Sequence, residues 1–89
     1  MPATRIIISG LVQGVFFRAQ AKEQADALGI TGWVRNNNDG SVEIHGEGSD
    51  DMLNKLTEWC RTGPEKAVVK NVTVTVPLEQ HSPAFEIWY

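Results

Sequence analysis

No segment of this 89-residue sequence is apolar for long enough to cross a bilayer: the longest apolar runs, such as 6–8 and 15–17, fall far short of the roughly 20 residues a spanning helix needs. No stretch reads as a signal peptide. Cysteine is nearly absent as well. The single Cys60 excludes an intramolecular disulfide and leaves a thiolate zinc site short of ligands, so a reducing cytoplasm is the expected location. The two histidines, His45 and His81, have no second histidine or cysteine at ligand spacing, and no metal or other cofactor is expected. Positive charge is also in short supply. Eight Lys plus Arg face eleven Asp plus Glu for a net charge of −3, and the isoelectric point of about 5.2 argues against a polyanion-binding surface. No nucleic-acid partner is expected, and any anion site must be local.

What is present suffices for a packed core. Hydrophobic residues make up 42% and charged residues 21%, too apolar a balance for a disordered chain. The length suits one domain, 1–89, and no repeat or linker interrupts it.

The β-branched run 5–12 predicts a strand. Beyond Gln13 and Gly14, Phe17, Ala21, Ala25 and Leu28 recur at helical spacing, and Gly29 stands where a C-cap belongs. Segments 31–36 and 41–46 predict two strands joined by Asn37-Asn38-Asp39-Gly40, whose Asp-Gly pair suits a tight hairpin turn. Ser49 followed by Asp50 and Asp51 predicts an N-cap, with acids in the first turn complementing the helix dipole. Met52, Leu53, Leu56, Trp59 and Cys60 then share a face up to the Gly63-Pro64 stop. Segment 67–76 alternates as a long strand ended by Pro77, and 84–89 predicts a short last one. Two helices separated by a hairpin do not make an all-parallel sheet. They suit an α+β, ferredoxin-like βαββαβ sandwich, an antiparallel sheet with both helices on one face.

The stretch most suggestive of chemistry is Gly10-Leu11-Val12-Gln13-Gly14-Val15-Phe16-Phe17-Arg18, a strand turning at a glycine directly into a helix. Such a junction aims unpaired backbone N–H groups outward at the positive end of a helix dipole, where an anion is stabilised. Arg18, in the first helical turn, is disfavoured there by about 0.3–1 kcal/mol, and a bound phosphate would remove the conflict through paired hydrogen bonds. A surface salt bridge from Arg18, to Glu23 or another acid, with Gly14 serving only the turn, accounts for the same spacing. Spacing alone leaves both readings open.

The loop closely resembles the Val-Gln-Gly-Val-x-Phe-Arg signature of the acylphosphatase family. A second family block, Gly-Trp/Tyr-Val-x-Asn, a turn, then Gly-x-Val-Glu, is matched by Gly32-Trp33-Val34-Arg35-Asn36 and Gly40-Ser41-Val42-Glu43. The resemblance extends through Gly46-Glu47-Gly48, Gly63-Pro64 and Phe85-Glu86-Ile87, essentially the whole chain. It implies the ferredoxin-like fold and metal-independent hydrolysis of acyl phosphates. Arg18 then matches the phosphate-binding arginine, Asn36 the asparagine that orients the attacking water, and the backbone amides of Gln13, Gly14, Val15, Phe16, Phe17 and Arg18 the phosphate cradle. The partner expected is a small acyl phosphate, with inorganic phosphate or sulfate competing, and the protein is expected to be a monomer. Phe16 stands where many bacterial members have glycine and animal members an aromatic. Trp88 stands where many members have arginine.

Such a site has little covalent work to do. The carboxylate of an acyl phosphate is a good leaving group, so positioning and charge neutralisation suffice. Arg18 and the amides can contact the equatorial oxygens where charge spreads. An Asn amide can accept from water and donate elsewhere without bringing negative charge near phosphate; taken alone, Asn36 reads more readily as a residue supporting the hairpin turn.

The remaining polar residues read as structural. His45 and His81 are expected at the surface or in packing, Cys60 as a buried inert thiol, and Ser9 as a strand residue without a base. Trp33, Trp59 and Trp88 are expected to pack. Two other classes share the topology: a non-enzymatic anion-binding or regulatory domain, which has no use for Asn36, and an RNA-recognition module, whose basic aromatic strand block is missing here.

Overall fold

The structure, a computed structural model, describes residues 2–89. In chain order it runs β1 (Ala3–Leu11), α1 (Phe17–Ala27), β2 (Thr31–Asn36), β3 (Val42–Glu47), α2 (Asp50–Thr62), β4 (Val68–Thr75) and β5 (Phe85–Trp88). The strands form one sheet in the order β4-β1-β3-β2-β5. β1 pairs antiparallel with β3 and β4, and β2 antiparallel with β3. One pairing departs from the antiparallel pattern. β5 runs parallel to β2, Gly32 opposite Phe85 through Arg35 opposite Trp88, because the chain crosses the sheet after β4 before adding its last strand. Both ends of the β2–β5 pair therefore point the same way, which brings Trp88 and Tyr89 to the end of the sheet where Asn36 lies.

The core forms between the helices and one sheet face. Ile6, Ile8, Val34, Val42 and Ile44 meet Phe17, Ala21 and Ala25 of α1 and Leu53, Leu56 and Cys60 of α2. Burying each larger aliphatic side chain contributes about 1.5–3 kcal/mol. Cys60 is fully buried, and burial pushes its thiol up to about 12, so it is inert as expected. Ser49 caps α2, its hydroxyl accepting from the Met52 N–H at 3.3 Å.

Two local expectations change. In the β2–β3 connection only Gly40 takes a positive φ, 93°. Asn37 closes a four-residue turn by accepting from the Gly40 N–H at 3.2 Å and donating its own N–H to Ser41 at 2.8 Å, so Asp39-Gly40 is not a two-residue hairpin. In β4 the alternation slips, because the register with β1 shifts between Ser9 and Gly10. Val69 and Val72 turn to the core while Val68 and Val74 stay exposed. Gly10, at φ 126°, is required there, since a Cβ would collide with the Val68 carbonyl oxygen.

The opposite sheet face is polar but well filled. Glu43, 3% exposed, accepts from Arg5 at 2.8 Å and Arg35 at 2.9 Å. His45 is buried and lies 2.7 Å from Glu47, whose carboxylate also takes the backbone N–H groups of Gln80 and His81. The 77–84 segment is thereby tied across the sheet. His45 is thus a packing residue, stacked on Trp33 and paired with Glu47.

Burial pushes the Glu43 and Glu47 carboxyls upward, but hydrogen bonds and charge from Arg35 and Arg5, and from His45 with the two amides, outweigh it and hold both below the usual carboxylate range. Their stabilisation is present above the unfolded value of about 4.3 and lost as pH falls through the lower folded values. Glu43→Gln should lower the melting temperature at neutral pH, and the gap from the parent should narrow as pH falls below about 4.3 and through the lower folded value, where the parent carboxylate takes up its proton as well. Thermal melts across pH 7 to 3 check this; a gap independent of pH would sink it.

Candidate active site

The 12–16 loop leaves β1 at its end and is fixed from both sides. Val12 and Phe17 are buried, and the Phe17 ring meets Trp59 of α2 edge-on, with centroids 5.3 Å apart. The Gln13 side chain spans to the hairpin, its Nε2 donating to the Asn37 carbonyl at 2.8 Å and the Ser41 carbonyl at 2.9 Å. Between these anchors Gly14 and Phe16 take positive φ, 75° and 66°. Alternation of this kind curls successive N–H groups toward one side, an anion-binding concavity. Among the described residues, no protein group accepts from the N–H of Gly14, Val15 or Phe16. The first-turn amides of α1 follow directly and have no intrahelical partner.

Left-handed backbone at a residue with a Cβ costs roughly 1–2 kcal/mol. Phe16 carries that strain without compensation from its side chain, which is 73% exposed and makes no N-cap bond. The backbone geometry explains why glycine suits this position.

Arg18 takes its direction from the far end of the chain. One guanidinium nitrogen donates to the Trp88 carbonyl at 3.0 Å, and the Tyr89 ring lies 4.8 Å from its carbon. No carboxylate among the described residues pairs with it. The salt-bridge reading, to Glu23 or another acid, is therefore not realised. Trp88 is itself held by stacking on Trp33 at 4.4 Å, and Lys22 of α1 donates to the Phe85 carbonyl at 3.0 Å.

Asn36 ends β2 on the same side as buried Val34. The turn does not use its side chain: Asn37 donates to the Ser41 hydroxyl at 3.1 Å, and Asp39 accepts from the Ser41 N–H at 2.9 Å and its hydroxyl at 2.6 Å. No described protein group hydrogen-bonds the Asn36 amide. Asn36, Arg18, Gly14, Phe16 and Phe17 line one cleft of about 250 Å³, together with Val12, Ala19, Ile87 and Tyr89. Gln13 and Val15 do not line it. Gln13 acts as a brace, and Val15 packs against the core. Ile87, Tyr89 and the Trp88 carbonyl were missed as site residues, since nothing in the sequence says that β5 pairs parallel to β2.

The cleft thus joins a guanidinium, a curl of free amides and an unengaged carboxamide, the donor set for a small anion and a water beside it. No group of three or more His, Cys, Asp or Glu among the described residues could hold a metal ion. No helix is long and apolar enough to cross a membrane.

The acylphosphatase family model matches residues 4–87. The chain belongs to the acylphosphatase family. An acylphosphatase of Pelotomaculum thermopropionicum is 52% identical over 69 residues, covering 78% of this chain and 75% of the relative. One of Aeropyrum pernix is 46% identical over 87 residues, covering 96% and 86%. The crystal structure of the Bacillus subtilis acylphosphatase superposes with a TM-score of 0.96 at 37% identity over the whole of both chains. The ferredoxin-like fold is shared, and as an acylphosphatase this chain is an enzyme of acyl phosphate hydrolysis.

Proposed function

We propose that water attacks in line on a substrate phosphorus held by Arg18 and those backbone amides of the 13–18 loop that face the cleft, with Asn36 placing the water. The observation that carries this reading is the single cleft in which the guanidinium, the free loop amides and the unengaged Asn36 side chain converge. The P–O bond to the carboxylate breaks, and the carboxylate leaves without a proton because it is a weak base. Charge on the equatorial oxygens is met by Arg18 and N–H dipoles already in place, so little reorganisation is needed during reaction. The phosphate itself takes the proton of the attacking water. No metal takes part. The rest of the assignment follows the same reading: the 89 residues work as a monomeric, single-domain enzyme of the cytoplasm, with inorganic phosphate or sulfate competing for the cradle.

Hydrolysis of acetyl phosphate and benzoyl phosphate should proceed at full rate with a chelator present. Loss of activity to the chelator and its return with a divalent cation would overturn the metal-free mechanism.

A further inference from the structure

A second hollow, about 380 Å³, opens beside the cleft and shares Asn36 and Tyr89 with it; the rest of its lining is Arg35, Asn37, Asn38 and Trp88. It contains no carboxylate side chain. Its one charged side chain is Arg35, whose guanidinium is held on two sides. Nε and one terminal nitrogen both donate to a single Glu43 oxygen, at 3.3 and 2.9 Å, and the Trp33 ring lies 5.0 Å from its carbon. The other terminal nitrogen has no protein acceptor among the described residues. Glu43 does not cancel the charge, since it is shared with Arg5 at 2.8 Å, which leaves two cations around one carboxylate. Asn38 adds an exposed amide that no other described residue hydrogen-bonds. A preformed donor set, with Arg35 as its one charged side chain, lies beside the phosphate cleft and shares Asn36 with it.

We infer that this hollow receives the acyl group of the substrate and favours acyl chains that carry a second anionic group, with Arg35 as the residue that selects them. The inference rests on the phosphate lying in the Arg18 cleft. An acyl group then projects past Asn36 and Tyr89, the two residues common to both hollows, and its far end meets Arg35 and Asn38. A preorganised guanidinium binds such an anion at small entropic cost. Solvent exposure limits the gain to that of a half-exposed ion pair.

The test compares 4-carboxybenzoyl phosphate with 4-methylbenzoyl phosphate, rigid substrates of similar size that differ in charge at the far end. In the parent enzyme kcat/KM should favour the carboxylated substrate by about fivefold, carried in KM, and high salt should erode the preference. Arg35→Gln should bring the ratio close to that of spontaneous hydrolysis while leaving the methyl substrate nearly unchanged, with Glu43 still paired to Arg5. Asn38→Asp, on the exposed turn, should depress only the carboxylated substrate. A ratio unaffected by Arg35→Gln, or an equal fall on both substrates, overturns the inference. Hydrolysis of the methyl substrate by the parent reads the phosphate site separately, so failure of that reading is seen on its own.

Discussion

Asn36→Ala should lower kcat by on the order of 10²–10³, the loss expected when one positioned polar group is removed from a reacting centre, while affinity for phosphate stays nearly intact. The expectation follows from what its amide leaves undone. Asn37, Asp39 and Ser41 close the β2–β3 turn among themselves, so the Asn36 side chain is not needed for the hairpin. It lines the cleft with Arg18 and has no hydrogen-bond partner among the described residues. A group that touches the water but not the phosphate acts when the water attacks, so kcat should fall and ground-state binding should not. Asn36→Asp supplies a control of nearly equal size. Its carboxylate can accept from water but repels the phosphate, so it should raise KM as well as lower kcat. Circular dichroism and unfolding midpoints must show both variants folded, because Asn36 pairs with Val42 across the hairpin. A folded Asn36→Ala enzyme with near-normal kcat would make Asn36 a strand residue only and leave the water to another group.

Strands and helices were legible because their apolar residues keep strict spacings: Phe17, Ala21 and Ala25 on α1, Leu53, Leu56 and Cys60 on α2, all buried. The slip in β4 was not, because a bulge breaks the alternation at Lys70 without changing residue type. Arg18 and Asn36 stood out through motif resemblance, and folding brings them into one cleft though they lie on different elements. The parallel pairing of β5 depends on where a long crossover lands, which no local pattern records. With it went the parts of Trp88 and Tyr89 in holding Arg18, and the proximity of Arg35 to the site. Glu43 and Glu47 were hidden for a related reason: a charged residue in a strand reads as solvent-facing until its cross-strand arginines and the 77–84 segment are in place. The left-handed backbone of Phe16 was equally hidden, since an aromatic residue advertises packing and not a positive φ.

Arg18→Ala should reduce kcat/KM by on the order of 10³ or more, the scale on which a guanidinium acts on a transferring phosphoryl group, and it should weaken anion binding too. In the proposed reaction Arg18 touches phosphate before and during the attack, so both kcat and KM should suffer, unlike the Asn36 pattern. Its geometry in the free enzyme sharpens the expectation for a conservative change. One guanidinium edge is held by the Trp88 carbonyl at 3.0 Å and one face by the Tyr89 ring, which leaves another edge to meet phosphate oxygens in the plane. A lysine has one ammonium and no such plane, so Arg18→Lys should recover little. Binding can be read without turnover. Phosphate or sulfate at about a hundred times its dissociation constant should stabilise the parent by about 2.7 kcal/mol, a rise of roughly 10–20 °C in melting temperature for a domain of this size. That rise should vanish in Arg18→Ala and persist in Asn36→Ala. An anion-dependent melting temperature that survives Arg18→Ala unchanged would place the phosphate somewhere other than the cradle at the start of α1.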